Sequence, residues 1–128
     1  MCHHILIVED TTLLALDLAA TFEDAGLTVV GIAKDMKSAL RLAEAHTIDL
    51  ATMDIELAHG SCGVTTAQEL WEGHGVPSLF VSGSITDEVQ EAAAVSNPVG
   101  FILKPAEPDT VLAAITSFFD DGETKQPA

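Results

Sequence analysis

Leu50-Ala51-Thr52-Met53-Asp54-Ile55-Glu56-Leu57 is an apolar, strand-like run with an acid near its end. It passes straight into the polar loop Ala58-His59-Gly60-Ser61-Cys62-Gly63. A carboxylate at the C-terminal end of a strand faces the crevice in which open α/β sheets bind ligands. Strands commonly end in Asp before a turn, so Asp54 gains meaning only from what the rest of the chain brings to that crevice.

Upstream, His4-Ile5-Leu6-Ile7-Val8 is a continuous apolar run, as expected of a strand buried on both faces, and it ends in Glu9-Asp10. Thr11 to Ala25 reads as a helix with Leu14, Leu18, Phe22 and Ala25 inward and Gly26 as its stop. Thr28 to Ala33 is a second strand. Asp35 caps a helix through Ala45 whose inner face uses Ala39, Leu40 and Ala43.

Downstream, Gly60 and Gly63 loosen the chain before a helix over Thr65 to Glu72, ended by Gly73-His74-Gly75. Pro77 to Ser82 forms a fourth strand. Thr86 to Ala94 is a short, Ala-rich helix that grips the core only through Val89, Ala92 and Ala93. Asn97-Pro98 marks a turn, and Gly100-Phe101-Ile102-Leu103 is the fifth strand, leading into Lys104-Pro105. The last helix spans Pro108 to Phe119, with Val111, Leu112, Ile115 and Phe118 or Phe119 inward; residues 120–128 form a polar, frayed tail.

Five strand–helix units alternate with short connections, which implies a parallel sheet, right-handed crossovers and helices on both faces. The fold class is therefore α/β, a doubly wound, flavodoxin-like (βα)5 sandwich with a five-stranded sheet of order 2-1-3-4-5. Its switch point lies between strands 1 and 3, which puts Glu9 and Asp10 beside Asp54.

The length of 128 residues suits one domain, and 48% hydrophobic residues suit a globular core. Five Lys and Arg stand against 20 Asp and Glu, a formal charge of −15. Such a balance argues against direct nucleic-acid binding and against attachment to a membrane surface. No apolar run approaches a membrane span, and the N-terminus has no signal-peptide pattern, so the expected compartment is the cytoplasm. Cys2 and Cys62 make no disulfide framework. Cys2, His3 and His4 alternate in direction along a strand and so do not make a metal site. Trp71, His46, His59 and His74 show no ligand spacing; His59 reads as a solvated loop residue close to Asp54.

Glu9, Asp10 and Asp54 thus converge at one sheet edge. Like charges at close range raise a pKa or recruit a cation, and hard oxygen ligands with open positions suit Mg²⁺. Ser82 ends strand 4 and Lys104 ends strand 5, so a hydroxyl and an ammonium reach the same rim. Metal, ammonium and hydroxyl together are what a transferred phosphoryl group requires.

The chain resembles the response-regulator receiver domains of two-component phosphorelays, a CheY-like superfamily. The likeness runs from Ile5 to Phe119. It rests on Val8-Glu9-Asp10, on Met53-Asp54-Ile55-Glu56-Leu57 with Gly60 and Gly63, on Val81-Ser82-Gly83 and on Gly100-Phe101-Ile102-Leu103-Lys104-Pro105. Each piece is common alone; the ordered set is specific. The resemblance implies a receiver domain over residues 1–119 with a polar tail over 120–128. It implies Asp54 as phosphoacceptor, Asp10 as a direct Mg²⁺ ligand, Glu9 acting largely through water, Asp54 as a second ligand and the Glu56 backbone carbonyl as a third. Mn²⁺ can substitute. Ser82 takes the family's hydroxyl position, Lys104 pairs with the phosphoryl group, and the Lys104–Pro105 bond is expected to be cis. Ser82 and Phe101 occupy the switch positions, with Phe where the family often has Tyr.

The function so implied is a signalling protein that takes phosphate from a phosphohistidine and switches partner binding. It would be a single-domain regulator, relay intermediate or sink with no output domain in this chain. Its partners would be a sensor histidine kinase or histidine phosphotransfer protein and an unidentified downstream protein, with the domain a monomer or a phosphorylation-dependent dimer. It is not expected to be an enzyme beyond self-phosphotransfer and autodephosphorylation. One alternative is a Mg²⁺-dependent phosphohydrolase acting through an aspartyl-phosphate; against it, no acid stands two residues after Asp54 on a helix or loop to protonate a leaving group, although Glu56 has that offset. A second is a flavin or nucleotide binder, for which Glu9-Asp10-Thr11-Thr12 is the wrong charge. A third is a pseudo-receiver that only binds proteins, which would lack part of the acid, hydroxyl and Lys set.

Overall fold

The computed structural model describes residues 3–125. Its five strands are β1 (His4–Val8), β2 (Thr28–Ala33), β3 (Leu50–Met53), β4 (Ser78–Ser82) and β5 (Pro98–Leu103). They alternate with α1 (Thr12–Asp24), α2 (Met36–Ala45), α3 (Gly63–His74), α4 (Asp87–Ala93) and α5 (Pro108–Lys125). The strands pair in parallel in the order β2-β1-β3-β4-β5, the topology expected of the alternating pattern.

Side chains that alternate along β1 feed two separate cores. Leu6 and Val8 join Ala39 and Ala43 of α2, Ala67 and Leu70 of α3 and Ala93 of α4 on one face. Ile5 and Ile7 join Ala15, Leu18 and Phe22 of α1 and Val111 and Ile115 of α5 on the other. Burial of Ile5 to Val8 on both sides of the sheet explains the unbroken apolar run of β1, each of these side chains contributing about 1.5–3 kcal/mol.

Several local expectations are corrected. The inward stripe of α1 is Ala15, Leu18 and Phe22, whereas Leu14 is 42% and Leu13 70% exposed, and Ala25 is exposed. Four apolar side chains in the run Leu13-Leu14-Ala15-Leu16 leave the helical phase ambiguous, and packing settles it with Ala15 in line with Leu18 and Phe22. Gly63 does not loosen the chain but is the first residue of α3. A Cβ there would lie 1.8 Å from the Asp54 carbonyl oxygen, so only glycine lets the loop return this close. Ala92 is exposed, leaving Ala93 as the buried residue of α4. β5 begins at Pro98 rather than Gly100: Asn97 makes the turn at φ 54°, and a first-position proline on an edge strand forfeits no sheet hydrogen bond. α5 continues past Phe119 to Lys125. Cys2 and residues 126–128 lie outside the described residues; His3 stacks on Phe119 at 3.7 Å, and His4 donates its backbone N–H to Asp49.

Candidate functional site

Register carries the functional residues to one edge. Val8 lies opposite Met53 across the β1–β3 pair, so Glu9 and Asp54 leave the sheet side by side. The Asp54 N–H donates to the Val8 carbonyl at 3.0 Å, and the Glu9 N–H to the Ala33 carbonyl at 2.8 Å. On the other side Ser82 lies opposite Leu103, and the Lys104 N–H donates to the Ser82 carbonyl at 2.9 Å. The Lys104–Pro105 peptide bond is cis.

The side chains meet in a charged network. Lys104 Nζ donates to Glu9 Oε1 at 2.6 Å and to Asp54 Oδ2 at 3.1 Å. The other oxygen of each acid is also held: Asp54 Oδ1 accepts the Ile55 N–H at 2.7 Å, and Glu9 Oε2 accepts the Thr11 N–H at 3.1 Å. Glu9 is only 3% exposed. Burial pushes its carboxyl up and the Asp54 charge adds to this, against the opposing hydrogen bonds from Lys104 and Thr11. Burial also weighs on the Lys104 ammonium as its largest single influence. The hydrogen bonds to Glu9 and Asp54, with both charges, outweigh it and raise the Lys104 pKa.

Glu9, Asp10 and Asp54 each offer a carboxylate oxygen, all within 4.8 Å of one another, the one such acidic group among the described residues. Three formal negative charges meet one ammonium. The donors are hard oxygens and Asp10 is exposed, so ligand positions remain for water and phosphate; this set fits Mg²⁺. A crevice of about 260 Å³ opens above them, lined by Asp10, Asp54, Glu56, Ser82, Ser84 and Lys104. Ser82 is buried, and its Oγ accepts the Ser84 N–H at 3.2 Å. Phe101 is half-buried and stacks on Phe80 at 5.2 Å between ring centroids.

Two participants were not apparent in the sequence. Thr11 and Ile55 act through backbone N–H groups, which side-chain motifs do not report. Ser84 donates to Glu56 Oε1 at 3.4 Å across a separation of 28 residues. His59 is a solvated loop residue as expected, its side chain 67% exposed, and it also hydrogen-bonds Asp35 at 2.7 Å. No sequence signal links positions 35 and 59, because the contact exists only once two loops lie together.

Among the described residues no helix is long and apolar enough to cross a membrane. The chain is 33% identical to the phyllosphere-induced regulator PhyR of Methylorubrum extorquens, across all of this chain and 48% of that protein. It is 29% identical to the transcriptional regulatory protein PdtaR of Mycobacterium tuberculosis, over 87% of this chain and 54% of that one. The chain therefore spans about half the length of these relatives. The solved signal receiver domain of a modulated diguanylate cyclase from Desulfovibrio desulfuricans G20 is 31% identical and superposes with a TM-score of 0.85, covering 98% of this chain and 100% of that one. The family model for the response regulator receiver domain matches residues 5–116, from the start of β1 into α5, and the chain belongs to that family of signalling domains.

Proposed function

We propose that Asp54 accepts a phosphoryl group from a phosphohistidine of a sensor kinase or histidine phosphotransfer protein, in the cytoplasm. The observation that carries this reading is the Lys104 ammonium on both Glu9 and Asp54 at the floor of a crevice that also holds Asp10 and Ser82. An Asp54 carboxylate oxygen attacks phosphorus, the P–N bond of the donor breaks, and its electron pair returns to the imidazole. The Ile55 N–H on Oδ1 and Lys104 on Oδ2 orient the carboxylate for this attack. Lys104 then follows the transferred oxygens, and the Ser82 hydroxyl donates to one of them. Asp10 and Asp54 with the Glu56 carbonyl, and Glu9 through water, would hold Mg²⁺ or Mn²⁺, which when bound offsets charge on the phosphoryl oxygens.

The acyl phosphate adds about −1.5 to −2 of charge if it ionises like other phosphates. Movement of Ser82 toward it vacates space beside Phe101, whose ring moves further in against Phe80. The exposed surface of β5 and its neighbours thereby shifts between two states, and a downstream protein reads the difference. Intact-mass measurement with a small phosphodonor, with and without Mg²⁺, tests the reading. A Mg²⁺-dependent phosphoryl adduct mapped to Asp54 is expected; an adduct elsewhere, or none, refutes it.

A further inference from the structure

The loop after β3 carries the crevice-lining Glu56 at its base and is tied back to a different part of the molecule at its tip. Glu56 and Cys62 pair in an antiparallel bridge, so residues 56–62 form a small hairpin. Gly63 closes the base by donating to the Ile55 carbonyl at 2.7 Å. At the tip, Ala58 N–H donates to the Lys34 carbonyl at 2.9 Å, and Ser61 Oγ accepts the Met36 N–H at 3.2 Å. Between these bonds His59 Nδ1 meets Asp35 Oδ2 at 2.7 Å.

Asp35 is itself anchored: it caps α2 through the Ser38 N–H at 2.9 Å and accepts the Ser38 hydroxyl at 2.6 Å. Hydrogen bonds from the Ser38 hydroxyl and N–H, and then from His59, hold its carboxyl well below the usual carboxylate range. His59 pays for the contact in backbone conformation, with φ at 57°, a region that residues with a side chain seldom occupy.

We infer that Asp35 and His59 form a latch between the β2–α2 and β3–α3 loops that positions the hairpin bearing Glu56, and so sets how well the acid crevice holds Mg²⁺. The inference rests on the receiver reading of that crevice. Both are positioning residues, since neither lines it. The latch acts by limiting the freedom of the hairpin before the ion arrives, so its loss weakens binding without removing a ligand.

Mg²⁺ titration of the unphosphorylated protein by calorimetry tests this, with amide exchange at Ala58 as a second readout. His59→Ala and Asp35→Asn should each raise the Mg²⁺ dissociation constant about two- to fivefold, the range expected on losing one partly exposed side-chain hydrogen bond. Asn is as good a helix cap as Asp, so α2 survives that change. The double variant should be no worse than either single, because both remove one contact. Ala58 exchange should quicken in all three, and His59→Gln should restore part of the affinity. Unchanged affinity in both singles, or additive losses in the double, overturns the latch. Asp10→Asn separates the two levels: if it weakens Mg²⁺ binding while the latch variants do not, only the latch falls. If it too leaves the titration unchanged, the ion is not held by the acid crevice and both readings fall.

Discussion

On one side of the crevice the β3–α3 hairpin is bonded to residues 34, 35 and 36, and Gly63 packs against the Asp54 carbonyl too closely for any Cβ. On the other side α4 has seven residues, with Ala93 buried, Val89 half-buried and Val95 just beyond it 56% exposed. The acids sit on the first side, whereas Ser82 and Ser84 lead toward the second. Mutually repelling carboxylates must be held by a rigid frame if they are to meet an incoming ion and phosphoryl group in the right geometry. A surface that reports on the event needs the opposite property, a small enough grip on the core to change at low cost. The difference in anchoring divides the molecule into a firmly tied half, preset for the proposed chemistry, and a loosely held half that would be the responsive one under the proposed function.

Removal of Asp54 is the harshest test of the preset half. Asp54→Ala should abolish Mg²⁺-dependent labelling by a small phosphodonor, read by intact mass; undiminished labelling would assign the chemistry elsewhere. Next in size, Lys104→Ala leaves Glu9 buried without its cation, which should lower stability to urea by about 1–3 kcal/mol. Mg²⁺ should recover part of that loss by supplying positive charge. The variant should still bind the ion yet fail to couple phosphorylation to conformational change. Equal stability with and without Mg²⁺ would contradict the shared-charge account of the network.

The responsive half is probed by its cap. Thr86 Oγ1 accepts the Val89 N–H at 3.2 Å, so Thr86→Ala should weaken α4 by about 1 kcal/mol. Faster amide exchange confined to α4 would agree with an independently loose helix; faster exchange throughout the sheet would erase the contrast between the halves. The smallest effect concerns acid. Asp35 has a folded pKa depressed below its ordinary 3.8, so its contribution to stability is full above that value and is lost as pH falls. Asp35→Asn has no such titration and should lose stability less steeply than the native chain below about pH 4, measured by thermal unfolding.

The main outline could be read without coordinates because it depends on periodicities that tertiary context does not alter. The all-apolar β1 run, the alternation of five strands with helical stripes, and the acids at strand ends together specify a parallel sheet with a switch point between β1 and β3. Where two residues compete for one position, sequence lost its resolving power. Leu14 and Ala15 both suit an inward face, and only the packed helix shows that Ala15 is buried and Leu14 is not. Asn97-Pro98 signals a turn, yet the strand starts within that signal because β5 happens to lie at an edge.

The amino-acid order by itself determined which chemical groups reach the crevice, since chain direction and strand order carry Glu9, Asp10, Asp54, Ser82 and Lys104 to the same end of the sheet. Tertiary structure alone decided how they are connected. The shared ammonium of Lys104 and the tie between Asp35 and His59 join residues 24 to 95 positions apart. Hydrogen bonds act over about 3 Å. No pattern along the chain encodes such proximity until the sheet and its loops have closed.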